Sequence, residues 1–182
     1  MSLAGLDALL AHSASFARVL EYAAADTDVS SREGLRAPLI AGMIAELRAQ
    51  GDTGVHLVIT ATSREADRMR AELASLVPNV TTAEFAAWET LPHERLSPST
   101  ETVGKRSRAL RRIREHDGIA GPLVVVASVR AALQPVSPHA AAGRVLTLTQ
   151  GRSDHTLDEV LNTLVEFAYT RVDMVTRRGE FS

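Results

Sequence analysis

The stretch 123-LVVVA-127 decides the fold. A strand with one wet face alternates apolar and polar residues. An unbroken apolar run, bounded by Gly121-Pro122 on one side and Ser128 on the other, describes a strand covered on both faces. Such strands belong to parallel sheets, whose crossover connections lay helices on each side. Working upstream, Val80 to Phe85 reads as a second strand, and Val55 to Ala61 (VHLVITA) as a third, also expected to be buried. Between them, Ser63 is placed to cap a helix with Ala66, Met69, Leu73 and Leu76 along one face. A basic helix over Thr102 to His116 would turn Val103, Leu110 and Ile113 inward, and a short helix follows the deciding strand from Ser128 to Leu133. Nearer the N-terminus, Leu39, Ile40, Met43, Ile44 and Leu47 mark a helix ended by Gln50-Gly51-Asp52. Leu6, Leu9, Leu10, Phe16 and Leu20 predict an amphipathic helix over residues 3 to 24, and Ala86 to Pro98, rich in proline and without periodicity, reads as a loop. Strands alternating with helices give an α/β domain with a parallel sheet over residues 1–134.

Beyond Gln134-Pro135 the pattern changes. Pro135 to Gly143 has the composition of a boundary, and Arg144 to Thr149 alternates like a half-buried strand. Thr156 with Glu159 forms a capping-box signature that opens a helix over Leu157 to Ala168. Val172 to Thr176 reads as a strand, Arg178-Gly179 as a turn, and Phe181 as the start of a return strand. Residues 135–182 are therefore expected to be the start of a smaller α+β domain, cut before its hairpin is complete.

Composition excludes several classes. The 182 residues contain no cysteine, which removes disulfides, thiolate metal sites and a cysteine nucleophile and suits a reducing, cytoplasmic setting. No stretch approaches the roughly 18 to 20 apolar residues of a membrane span, and the first ten residues have no basic n-region of a secretory signal. The net charge is -2, with Lys105 as the only lysine, so no basic excess marks a nucleic-acid binder. Arginine in its place suits carboxylate-pairing interfaces.

A nucleotide loop would lie ahead of the helix at Ala37 to Leu47. It needs glycines for close backbone approach, a lysine for the β/γ-phosphates and a hydroxyl for magnesium. The segment Ser30-Ser31-Arg32-Glu33-Gly34-Leu35-Arg36-Ala37 retains one glycine, puts Arg36 and Ala37 where lysine and Ser/Thr would stand, and adds a carboxylate at Glu33. His93 and Glu94 are adjacent but lack metal-ligand spacing, and the other histidines (His12, His56, His116, His139, His155) are scattered. Ser128 has no GxSxG setting. The basic run 105-KRSRALRRIR-114 has two readings: a phosphate-facing surface, or the face of a domain helix paired with Glu101 and Glu115. The absence of interleaved aromatic residues favours the second. Trp88, the single tryptophan, reads as a packing anchor of its loop.

Three segments carry a family resemblance. 86-AAWETLPHERLSPSTETVGKR-106, 123-LVVVASVRAALQPVSP-138 and 169-YTRVDMVTRRGEFS-182 resemble successive parts of the N-terminal region of bacterial transcription-repair coupling factors, with related patterns in the excision-repair protein UvrB. The resemblance implies a helicase-like first domain that has lost nucleotide binding, and a second domain, starting near Pro135, that contacts UvrA. It implies no catalysis and no cofactor in this stretch, with ATP and magnesium held at a motor far downstream. RNA polymerase and DNA would be engaged only through downstream domains, and the remaining domains of the parent would mask the UvrA surface. Of the residues that would carry the UvrA contact, it implies Arg171 in the YTRVD match, then Arg178 before Gly179, with Arg177 able to exchange roles with it. Two alternatives stay open: a nucleotide-dependent, UvrB-like helicase fragment, or a DNA-binding module using the Arg106 to Arg114 helix.

Overall fold

A computed structural model describes residues 13–23, 28–90, 97–137, 144–152 and 154–182. Leu6, Leu9, Leu10, His12, His93, Glu94 and His139 lie outside the described residues, as do parts of the expected first helix, the 86–98 loop and the boundary segment. The elements in chain order are α1 (Ala14–Ala23), α2 (Glu33–Ala49), β1 (Val55–Thr60), α3 (Ser63–Leu76), β2 (Thr81–Phe85), α4 (Thr100–Arg114), β3 (Leu123–Ser128), α5 (Val129–Leu133), α6 (Leu157–Glu166), β4 (Thr170–Arg171) and β5 (Glu180–Phe181).

β3 is the centre of a three-stranded parallel sheet of order β1-β3-β2, with Val55 opposite Leu123 on one side and Thr81 opposite Leu123 on the other. All six of its residues are buried, which accounts for the unbroken apolar run. The chain moves outward from β1 to β2 and then back to β3. With crossovers of one hand, that reversal puts the two connecting helices on opposite faces. Val124 and Val126 accordingly pack with Ala37, Ala41 and Ile44 of α2 and Ala66, Leu73 and Leu76 of α3. Leu123 and Val125 pack with Ala83 and with Ala109 of α4. Each Val or Leu so enclosed contributes about 1.5–3 kcal/mol relative to exposure. α1 buries Phe16 against a glycine of α2: a Cβ on Gly42 would lie 2.6 Å from Phe16 Cζ.

Several expectations need correction. β1 is not a buried strand: it lies at the sheet edge and its residues alternate exposed and half-buried. Thr62, not Ser63, caps α3, through a full capping box with Glu65. On α4 the inward residues are Thr102, Arg106 and Ala109, while Val103 and Ile113 are exposed. The helix is rotated because Arg106 occupies an aromatic slot that the apolar pattern does not reveal. Arg144 to Thr149 is irregular and pairs with no strand among the described residues. Val172 to Thr176 is a loop as well, and Phe181 does not return in a hairpin: β5 pairs with β4 in parallel, Thr170 opposite Glu180 and Arg171 opposite Phe181. The capping box of Thr156 and Glu159 is present at the start of α6.

Candidate functional site

The three arginines singled out from the sequence share one short compact loop. It begins where α6 ends. Tyr169 N donates to Leu164 O (3.0 Å) and Ala168 N to Val165 O (2.9 Å), a Schellman closure that reverses the chain. Ala168 takes the left-handed conformation this requires, at φ 60°, a position that normally favours glycine. The chain then enters β4. Thr170 N donates to Gly179 O (2.9 Å) and Val172 N to Phe181 O (2.8 Å), so the loop 172–179 is pinched at its base.

Glu180 holds the inside of the loop. Its carboxylate accepts from Thr176 N (2.9 Å), Thr176 Oγ1 (3.1 Å), Arg177 N (3.2 Å) and Arg177 Nε (2.8 Å). Donation from the Thr176 amide, then from the Arg177 side chain, lowers its pKa to about 2. The other end of the loop rests on the start of α4. Thr100 Oγ1 donates to Arg178 O (3.1 Å), Gly179 turns with φ +88°, and the Arg178 guanidinium lies 4.0 Å from Glu101.

The arginines therefore differ. Arg177 is committed to Glu180. Arg178 is exposed and weakly held by Glu101. Arg171 is exposed on a strand whose backbone is fixed, and its guanidinium makes no hydrogen bond or ion pair among the described residues. In the loop that follows it, Met174 is 75% exposed and Val175 50%. An exposed guanidinium on a pinned backbone, followed in the chain by exposed apolar residues, has the makeup of a protein-contact surface, and arginine is enriched among interface hot spots.

The other candidates are structural. Arg106 is buried, its guanidinium carbon 4.0 Å from the Phe85 ring centroid and 4.5 Å from that of Trp88, with Nη1 donating to Ala86 O at 2.7 Å. Burial alone lowers its pKa. Trp88 is the expected anchor, its backbone exchanging two hydrogen bonds with the Gln134 side chain. Arg112 donates to Thr82 O and Arg111 pairs with Glu115, so much of the basic helix is spent within the fold. Lys105 sits between Glu84 (3.1 Å) and Asp67 (3.5 Å) and ties α4 to β2 and α3. Burial raises the pKa of Glu84, with Asp67 adding to the rise and Lys105 opposing it. In the 30–37 segment, Gly34 to Ala37 lie inside α2. Ala37 is enclosed in the core, and Glu33 stands in the first turn. Sequence reasoning missed the role of Glu180, because nothing in its spacing shows that it faces into the loop.

No protein-family model matches the chain. Across 183 aligned residues, 99% of the chain, it is 44% identical to the transcription-repair-coupling factor of Mycobacterium bovis and likewise to that of Mycobacterium tuberculosis. The chain belongs to the transcription-repair coupling factor family. It spans 14% of the length of these coupling factors. Among the described residues, no helix is long and apolar enough to cross a membrane, and no cluster of His, Asp and Glu has the makeup of a metal site.

Proposed function

We propose that this chain is the UvrA-docking module of a coupling factor, non-catalytic in itself, with the loop 169–181 as the docking surface. In this reading residues 1–134 are a helicase-like scaffold whose nucleotide site has degenerated, and residues from 135 onward form the docking domain. The observation that carries the reading is Arg171, exposed and without a side-chain partner among the described residues, on a backbone held by the β4–β5 pair. A preorganised arginine loses little conformational freedom on pairing with a carboxylate of a partner. Arg178 is a second contact once it leaves Glu101, and Arg177 acts by holding the loop through Glu180. The degenerate site would rest on Arg36 and Ala37, standing where a lysine and a hydroxyl are needed, and on Glu33, which puts a negative charge beside the would-be phosphate. ATP, magnesium, DNA and RNA polymerase would then be handled by other parts of the full-length protein, which would also mask the loop. The test is titration of purified UvrA with this chain, followed by calorimetry at two salt concentrations. Saturable binding is expected. Binding of magnesium-ATP by the chain, with no response to UvrA, would favour the helicase-fragment reading instead.

A further inference from the structure

The first turn of α4 joins two parts of the chain. Ser99 caps the helix, its Oγ accepting from Thr102 N at 3.2 Å. Ser99 and Thr102 stand three residues apart and so share one side of the turn. Both of their hydroxyls donate to the Glu89 carboxylate, that of Ser99 at 2.6 Å. Glu89 is tied in turn to α5, where Arg130 Nη2 donates to its carbonyl oxygen at 3.2 Å. The turn is thereby fixed on the scaffold from its inner side.

Thr100 and Glu101 lie between those two residues and are exposed on the outer side. Both meet the arginine loop. Thr100 Oγ1 donates to Arg178 O at 3.1 Å, across 78 residues of sequence. The next residue, Gly179, lies against Thr100: a Cβ there would come within 3.4 Å of Thr100 Cγ2. Glu101 stands 4.0 Å from the Arg178 guanidinium. The contact falls at the base of the loop, because Gly179 O is also the acceptor for Thr170 N.

The loop's own bonds set its shape. They do not set the direction in which it faces. β4 and β5 have two residues each, and a two-stranded pair is marginal on its own in water. A hydroxyl on a fixed helical turn supplies the missing anchor.

We infer, on the docking reading proposed above, that Thr100 is a positioning residue of the docking surface. Its hydroxyl fixes the base of the loop to the scaffold, so that Arg171 and Arg178 face a carboxylate-bearing partner in one orientation. Part of the docking affinity then comes from a residue of the scaffold that need not touch the partner, through the ordering that is already complete before binding.

Thr100→Val removes the hydroxyl and keeps the branched shape, and Thr100→Ser keeps the hydroxyl. Without UvrA, Thr100→Val is expected to speed amide exchange at Thr170 and Val172 by about two- to tenfold, the range for loss of one hydrogen bond, with the amides of β3 unchanged. UvrA affinity is expected to fall by a factor in the same range. Thr100→Ser should restore both. Thr100→Ala also removes the hydroxyl and repeats the comparison if valine disturbs the start of α4. Exchange at Thr170 and Val172 that is unchanged in the valine and alanine variants, while UvrA still binds the wild-type chain, would overturn the inference and leave the docking reading standing. Faster exchange with unchanged UvrA affinity would do the same, as would a serine variant that behaves like valine. Failure of the wild-type chain to bind UvrA would instead retire the docking reading, and the inference with it.

Discussion

Replacing Arg106 tests whether the basic helix is scaffold or nucleic-acid surface. Its guanidinium lies 4.0 and 4.5 Å from the Phe85 and Trp88 ring centroids and donates to Ala86 O at 2.7 Å. Two cation–π contacts at about 1 kcal/mol each and a charged hydrogen bond at about 1.5–3 kcal/mol give a gross stabilisation of about 3.5–5 kcal/mol. Desolvating the guanidinium offsets part of this, as its lowered pKa indicates. The expected net loss for Arg106→Ala is then about 2–4 kcal/mol, with Arg106→Met nearer the lower end because it keeps the packing of the stem. Urea unfolding followed by circular dichroism measures it, with the fluorescence of Trp88, the single tryptophan, as a second probe. A loss under about 1 kcal/mol, together with weakened binding to duplex DNA, would refute the structural assignment and return the helix to the phosphate-facing reading.

Ala168→Gly should stabilise the chain by about 1 kcal/mol, since it relieves the left-handed conformation at φ 60°; a lower melting temperature would show that the Schellman closure does not govern this turn. Gly42→Ala should destabilise by about 1–3 kcal/mol, because its Cβ would meet the Phe16 ring at 2.6 Å, and Phe16→Leu should restore part of the loss. Glu180→Gln should loosen the arginine loop and speed amide exchange at Thr176 and Arg177. Glu180 has a pKa depressed from 4.5 to about 2, so its contribution is complete above the ordinary carboxylate range and is lost as pH falls through about 2. Exchange rates that do not differ between wild type and Glu180→Gln would remove Glu180 from this role.

The parallel sheet was legible in the sequence because 123-LVVVA-127 meets helices on both faces, and periodicity registers burial directly. The same reasoning misplaced β1. VHLVITA has the composition of a buried strand, and composition cannot distinguish a strand that is covered here from one left bare among these residues. On α4, amphipathic spacing pointed to Val103, Leu110 and Ile113; Leu110 is half-buried, but the buried residues are Thr102, Arg106 and Ala109, and the partners of Arg106, Phe85 and Trp88, come from elsewhere in the chain. The capping boxes are local, and the one at Thr156 stood where expected. The arginines of the candidate site were legible as residues, but their differing roles were not. Whether Arg177 or Arg171 is free depends on the inward turn of Glu180 and on the parallel β4–β5 pairing, and the short apolar segments there suggested an antiparallel hairpin instead.

The most direct test of the docking account is the affinity of UvrA for Arg171→Ala measured beside Arg177→Ala and wild type. Arg171→Ala is expected to weaken binding by about 1–3 kcal/mol, the range for loss of a charged interface contact, with the fold unchanged by circular dichroism. Arg177→Ala should weaken binding less and, like Glu180→Gln, speed amide exchange in the loop. Full affinity retained by Arg171→Ala would contradict the account.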